Sequence, residues 1–178
     1  MKTTVNWRRL ANRPIDFSKQ GYPVFEVSST PIASINSSAA FSSPSPGAMG
    51  FIAAVGSDLI YLSSPYTSGG TITGDKAADR VEDTKEMLFT LMDIGVAVFS
   101  PIVCGTALHP YADDKGHSWW MNWDLKMLRK CDRVAVLALA GWEKSLGVQM
   151  ELELATILQK PIYLIRKAED DPQTEKTI

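Results

Sequence analysis

The chain has 178 residues, which suffices for one domain with a sizeable core. Hydrophobic residues make up 45% and charged residues 21%, an ordinary balance for a soluble globular protein, and the net charge of -2 provides no basic surface for nucleic acid. The two cysteines, Cys104 and Cys131, stand far apart without a C-x-x-C, which argues against a zinc site or a disulfide framework and fits a reducing cytoplasm.

Residues 1–56 differ from the rest. Lys2, Arg8, Arg9, Arg13 and Lys19 surround the first acid, Asp16, and Ser28 to Pro46 is dominated by Ser, Ala and Pro. Such a composition buries too little apolar surface to order itself well, so this part reads as a poorly ordered or draped extension. A short hairpin around Tyr22 to Val27 is one local option, and the Arg- and Ser-rich start has some likeness to an organellar transit peptide. No compact apolar region marks a secretory signal, and no apolar run is long enough to span a bilayer.

From Asp58 the pattern becomes regular. Leu59 to Leu62 reads as a short apolar strand and Ser63 to Gly74 as a loop of turn formers. Asp75 to Ile94 carries Ala77, Val81, Leu88 and Leu91 at helical spacing, with Gly95 as its stop. Val96 to Phe99 is a strand ended by Pro101, Ile102 to Gly116 is a long connection containing His109, and Ser118 to Cys131 is a helix. Arg133 to Ala140 reads as a buried strand, Ser145 to Lys160 as a helix, and Ile162 to Ile165 as the last strand. Residues 57–168 thus make an α/β domain: a doubly wound, flavodoxin- or Rossmann-like, mainly parallel sheet covered on both faces, followed by a C-terminal tail over 169–178. Ligands of such sheets bind beyond the carboxyl ends of the strands, which puts the Ser63 loop, the His109 segment and the Ser145 turn on one rim.

The Ser145 helix carries the strongest chemical suggestion. Leu146, Met150, Leu154 and Ile157 recur as a core stripe, and Glu153 shares a wet face with Gln149, Thr156 and Lys160. Glu151 falls instead beside Gly147, Ala155 and Leu158, where small side chains leave room for a carboxylate pointing inward. Ser145 suits the N-cap, accepting from a backbone N–H, and the free N–H groups of that turn suit an anion. Asp124, in W-W-M-N-W-D-L-K-M-L, lies beside Trp120, Met127, Leu128 and Cys131 on an apolar face, where an unpaired carboxyl holds its proton and suits a proton donor.

Two carboxyls on helices that share a rim suit glycosyl chemistry. One attacks or stabilises an anomeric carbon while the other protonates the leaving group. Plainer readings stand beside this one. Local backbone could satisfy Asp124, Asp132 could be a structural carboxylate before its strand, Trp119, Trp120 and Trp123 could be core, and the Ser63 loop an ordinary turn. That loop has neither G-x-G-x-x-G nor G-K-[ST], which weakens the dinucleotide and P-loop readings. His109 and His117 have no H-x-x-x-H or H-E pairing, so neither a metal nor a cofactor is expected, although His109 could touch a substrate from its rim segment.

Three segments together carry a resemblance: D-L-I-Y-L-S-S-P-Y; W-x-x-x-x-D-L-x-x-L-x-x-C-D-R-V-A-V-L; and G-W-E-K-S-L-G-V-x-x-E-x-x-x-A-x-x-x-x-K-P-I. Over Asp58 to Arg166 the chain resembles the nucleoside 2-deoxyribosyltransferase-like superfamily, and within it the 2'-deoxynucleoside 5'-monophosphate N-glycosidases and related phage-borne members. The resemblance implies that Glu151 is the nucleophile at C1', that Asp124 handles protons on the base or sugar, and that Tyr61 stands near the reacting centre. Ser145 matches a serine that the monophosphate hydrolases use for phosphate, where transferases acting on free nucleosides tend to have an acid. Gly147 lies in the same pocket, and Ser63, Ser64, Pro65 and Tyr66 belong to the phosphate cradle. This loop departs from the hydrolase pattern because S-S-P-Y-T-S-G-G carries no arginine.

The implied activity is hydrolysis of the base–sugar bond of a (deoxy)nucleoside 5'-monophosphate by a homodimer or larger assembly. Base exchange on the same fold, or nucleotide binding without turnover, are the alternatives.

Overall fold

A computed structural model describes residues 20–28, 44–66, 74–112 and 114–168. The elements in chain order are β1 (Val24–Val27), α1 (Pro46–Val55), β2 (Ile60–Ser63), α2 (Gly74–Asp93), β3 (Val98–Phe99), α3 (Pro101–Leu108), α4 (His117–Lys130), β4 (Arg133–Leu137), α5 (Leu146–Ile157) and β5 (Ile162–Lys167). Two 3-10 turns, His109–Tyr111 and Trp142–Lys144, precede α4 and α5. The five strands form one sheet in the order β1-β5-β4-β2-β3, and every neighbouring pair is parallel.

The strand sequences explain why both faces are covered. Side chains alternate across a strand, and here both sets are apolar. Tyr61, Val134, Val136 and Leu164 pack with Leu125 and Leu128 of α4 and with Val148 and Leu152 of α5. Ile60, Leu62, Ala135, Leu137 and Ile165 point the other way, onto Phe51 and Val55 of α1 and Met87 and Leu91 of α2. Each large side chain fully withdrawn from water contributes on the order of 1.5–3 kcal/mol. From β2 the chain moves outward to β3, then returns to place β4 on the other side of β2. The strand order therefore reverses between β2 and β4, and the crevice beyond their carboxyl ends is where a doubly wound sheet takes its ligand.

The amino ends of the strands are tied by polar groups. The Leu59 N–H donates to Asp132 Oδ2 at 2.8 Å, so Asp132 is a structural carboxylate. Arg133 pairs with Asp58 and donates from Nη1 to Tyr163 Oη at 2.5 Å. No helix among the described residues is long and apolar enough to cross a membrane.

Three expectations need correction. Within the N-terminal extension, the segments Val24–Val27 and Pro46–Val55 pack against the sheet. Val24–Val27 is no hairpin strand but a parallel edge strand on β5, pairing Val24 with Leu164 and Val27 with Lys167. Helix α1 closes over it so tightly that a Cβ on Gly47 would stand 1.8 Å from the Glu26 carbonyl oxygen. Second, Ile102 to Gly116 is largely helical. The Ser100 hydroxyl accepts from the Val103 N–H at 3.3 Å and Pro101 occupies the first turn, so a serine–proline pair that looks like a strand stop is a helix start.

Third, the core stripe of the last helix is set differently. Leu146 is 57% exposed and Ile157 is also exposed, whereas Val148, Leu152, Leu154 and Ala155 are buried and Glu153 is half-buried. Apolar and polar residues are interleaved around this helix, so periodicity has little to discriminate. The segments before Gln20 and after Ala168, and most of the loop after Tyr66, lie outside the described residues, so the transit-peptide likeness and the C-terminal tail fall there.

Candidate active site

Tyr61 and Ser63 are two residues apart on β2, so their side chains leave the same face of the sheet. That face receives α5, and both hydroxyls end on one carboxyl. Tyr61 Oη donates to Glu151 Oε1 at 2.8 Å and Ser63 Oγ donates to Oε2 at 2.5 Å. Glu151 is only 5% exposed and has no cationic partner among the described residues. A buried charge without a counter-ion is costly, so the group keeps its proton. Burial pushes its pKa from 4.5 up to about 8; the hydroxyls of Ser63 and Tyr61 pull it back, and the charge of Asp124 adds to the rise.

Asp124 reaches the same neighbourhood from α4. Its carboxyl is half-buried on the apolar face that also carries Leu128 and Cys131, and burial pushes its pKa from 3.8 up to about 7. Its charge also opposes ionisation of Tyr61, whose phenol is held well above its usual range by burial first and then by Glu151 and Asp124. The two carboxyls are thus electrostatically coupled on one side of the sheet. Such a pair titrates jointly, and one proton shared between the two groups is its natural state near neutral pH.

Ser145 occupies the N-cap of α5 but makes no capping bond with its side chain, contrary to the expectation that its hydroxyl holds a backbone N–H. Ser145 is only 3% exposed, and it stands near Gly147, where a Cβ would lie 4.0 Å from Ser145 Oγ and 3.9 Å from Met121 Sδ. Ser64 turns to the opposite side from Ser63, and its hydroxyl shares a 3.1 Å hydrogen bond with that of Thr84 on α2. Pro65 is buried and Tyr66 is exposed at the rim.

His109 opens the 3-10 turn after α3, is exposed, and makes no side-chain bond among the described residues, so the structure does not join it to the carboxyls. Trp119 and Trp123, expected in the core, are 46% and 42% exposed; only Trp120 turns inward, with Trp119 edge-on to it at 4.9 Å. Among the described residues no group of three or more His, Cys, Asp or Glu could hold a metal ion.

The residue that sequence reading missed is Arg80. It projects from α2 and spans the crevice, donating from Nη2 to the Ala140 carbonyl at 2.8 Å and from Nη1 to the Tyr66 carbonyl at 3.3 Å. No carboxylate pairs with it among the described residues, so its charge stands uncompensated at the rim where the loop itself has no arginine. One signal was available, since Arg80 and Thr84 lie one turn apart on α2 and so share a face. A groove of about 340 Å³ lined in part by Tyr22, Thr156, Lys160 and Ile162 lies at the amino end of β5, away from this chemistry.

No curated protein matches the chain in sequence. A family model does match, over residues 58–167, which run from just before β2 to the end of β5 and include Tyr61, Ser63, Arg80, Asp124, Ser145 and Glu151. The chain therefore belongs to the DUF1937 family, a domain of unknown function.

Proposed function

We propose that the protein is an N-glycosidase that hydrolyses the base–sugar bond of a (deoxy)nucleoside 5'-monophosphate, with the mechanism of the nucleoside 2-deoxyribosyltransferase-like enzymes that its motifs resemble. The observation that carries the reading is a buried carboxyl, Glu151, held by two hydroxyl donors at the switch-point crevice and coupled to a second carboxyl, Asp124. In the working state the pair carries one negative charge. At rest Glu151 holds the one remaining proton more tightly, at about 8 against about 7 for Asp124, so attack proceeds from the less populated form in which the proton has passed to Asp124, a form that the Tyr61 and Ser63 hydroxyls favour by stabilising the Glu151 carboxylate.

A Glu151 oxygen attacks C1' as the C1'–N bond breaks. The bonding pair leaves with the base, and Asp124 donates its proton to it. Water then attacks C1' of the glycosyl ester and gives a proton to Asp124. Glu151 leaves as carboxylate, so the two carboxyls return to their starting state. Tyr61 and Ser63 hold the oxygen that does not attack and the one that departs.

The Ser145 hydroxyl and Gly147, at the start of α5, together with Ser63, Ser64, Pro65 and Tyr66, form the cradle for the sugar phosphate in this proposal, with His109 as an outer contact. The helix N-terminus and the uncompensated Arg80 charge give the mouth a positive potential that favours a phosphate dianion. Copies are proposed to associate as a homodimer or larger, consistent with the exposed Trp119 and Trp123. Two free cysteines and a nucleotide substrate fit the cytoplasm.

The test is base release from a panel of deoxynucleoside and ribonucleoside monophosphates and their unphosphorylated forms, with Glu151→Ala alongside. Release from monophosphates alone, lost in the variant, supports the proposal. Exchange among free nucleosides and bases supports a transferase, and binding without release from any compound removes the enzyme reading.

A further inference from the structure

We propose that Ser63 is a positioning residue that acts through Glu151: it marks Oε2 as the oxygen that attacks C1', and it sets the lifetime of the glycosyl ester by meeting the charge that returns to Oε2. The inference deepens the glycosidase reading and rests on it. Its starting point is an asymmetry between two hydroxyls. Each Glu151 oxygen has its own donor, Tyr61 Oη on Oε1 and Ser63 Oγ on Oε2. The donors differ in freedom. Tyr61 is fully withdrawn from water, its ring tilted against Phe99 at 6.0 Å and set in the core with Leu125, Leu128 and Val134. Its hydroxyl can leave Oε1 only if that close-packed core moves. Ser63 is the last residue of β2 and carries its hydroxyl on a single rotor.

The donors also differ in depth. Ser63 stands two residues beyond Tyr61, about 7 Å nearer the carboxyl end of β2, where ligands of such a sheet enter. Glu151 comes from the same end, in the second turn of α5, and helical side chains lean back towards their N-terminus. The carboxyl is thus held by Tyr61 on its inner side and by Ser63 on its rim side, and a sugar arriving at the rim meets Oε2. Glu151 keeps 5% exposure while Tyr61 and Ser63 have none, so of the three it alone faces that entry.

The two chemical steps make different demands on Ser63. In the first, Oε2 bonds to C1', and the C1'–N pair leaves with the base, which takes the Asp124 proton. Oε2 loses its charge, and the serine's bond to it weakens. In the second, water adds to C1' and passes a proton to Asp124, the C1'–Oε2 pair returns to Oε2, and the Ser63 hydroxyl donates to the growing charge. Ser63 therefore opposes the first step slightly and helps the second. Tyr61 stays on Oε1, the carbonyl oxygen of the ester, through both.

Rapid-quench measurement of base release tests this, on the full chain and a nucleoside 5'-monophosphate that the wild type cleaves, with mass spectrometry of the quenched protein. Wild type, Ser63→Ala, Ser63→Thr and Tyr61→Phe are compared, each at its own pH optimum, so that a moved titration of Glu151 does not imitate the effect. Ser63→Ala should release its first base nearly as fast as the wild type. It should then turn over about 10- to 100-fold more slowly, with sugar phosphate on the peptide that carries Glu151. Ser63→Thr, which keeps the hydroxyl, should restore much of the second phase. Tyr61→Phe should slow both phases and accumulate no ester.

A Ser63→Ala chain with a lowered melting temperature and both phases slowed in proportion has lost only a structural contact, and that result overturns the proposal. So does a raised KM with the two phases in their wild-type ratio, because the serine then serves the phosphate alone. If Ser63→Ala does not fold, Ser63→Cys carries the same comparison with a thiol as the weaker donor. A wild type that releases no base removes the glycosidase reading and this inference with it. Turnover by the wild type with no added ester in Ser63→Ala removes this inference alone.

Discussion

Replacing Glu151 by glutamine should stabilise the protein, and the gain should grow with pH. The carboxyl is raised from 4.5 to about 8 in the folded chain. A carboxyl raised in this way favours folding while it is protonated. Its contribution is complete below about 4.5 and is lost progressively as the pH climbs through about 8, because the unfolded chain ionises first. At about 1.4 kcal/mol per tenfold change in proton affinity, the ceiling on that loss is about 5 kcal/mol. Relaxation and water entry reduce it, and a difference of about 2–4 kcal/mol at pH 9 is the working expectation.

Glutamine has the same shape and cannot ionise. Its carbonyl accepts from one of the two hydroxyls and its amide donates to the other, at a mismatch cost of about 1 kcal/mol or less. The assay is urea unfolding of wild type and Glu151→Gln at pH 4.5, 6, 7.5 and 9, taking the difference at each pH so that the other carboxylates cancel. The two curves should nearly coincide at pH 4.5 and diverge above it, with the variant more stable. Curves that stay parallel to pH 9 would refute the reasoning, since Glu151 would then ionise as easily in the folded chain as in the unfolded one.

Other outcomes follow from the same geometry. Base release should be greatest when the carboxyl pair holds one proton, falling below about pH 7 and above about pH 8 in a kcat/KM profile. Tyr61→Phe removes the donor to Glu151 Oε1, so turnover should fall about 10- to 100-fold and the alkaline limb should move to higher pH. Asp124→Asn should slow release of ordinary bases about 100- to 10,000-fold in steady-state assays while sparing substrates whose leaving group needs no proton. Gly47→Ala should cost about 1–3 kcal/mol in thermal unfolding, because its new methyl meets the Glu26 carbonyl and α1 has to lift off β1.

Local patterns carried the parts of the fold and site that depend on neighbours in sequence. The apolar run of β4 reads as a strand buried on both faces, and Gly95, at φ +87, is a helix stop in the sequence and in the structure. Glu151 reads as inward-facing because of its small helical neighbours, and Asp124 because of Leu128 and Cys131; Glu151 is buried and Asp124 half-buried.

The misses have a common cause in long-range contacts. Nothing near Arg80 points to Ala140, sixty positions on, and nothing near Val24 points to Leu164. Ser63 looks like a turn former until β2 is placed beside α5, when its hydroxyl proves to be a donor to Glu151. Helix α3 was missed for a local reason. Eight residues without a polar stripe, begun by Ser100 and Pro101, look the same as the end of a strand followed by a loop.

The pairing of β1 with β5 sets an order on how the chain can be assembled. During synthesis the first strand leaves the ribosome long before Ile162 to Lys167, its partner in the sheet. Strands β2, β3 and β4 can begin to associate in the meantime, while Phe25 and the Phe51 side of α1 wait without Tyr163, the ring both of them meet edge-on. Docking of the amino-terminal unit therefore comes last, as a latch set after the half that holds β2, β3 and β4 has formed. The run of Ser, Ala and Pro from Ser28 to Pro46 is well suited to that wait, because it offers little apolar surface on which a nascent chain could stick to its neighbours.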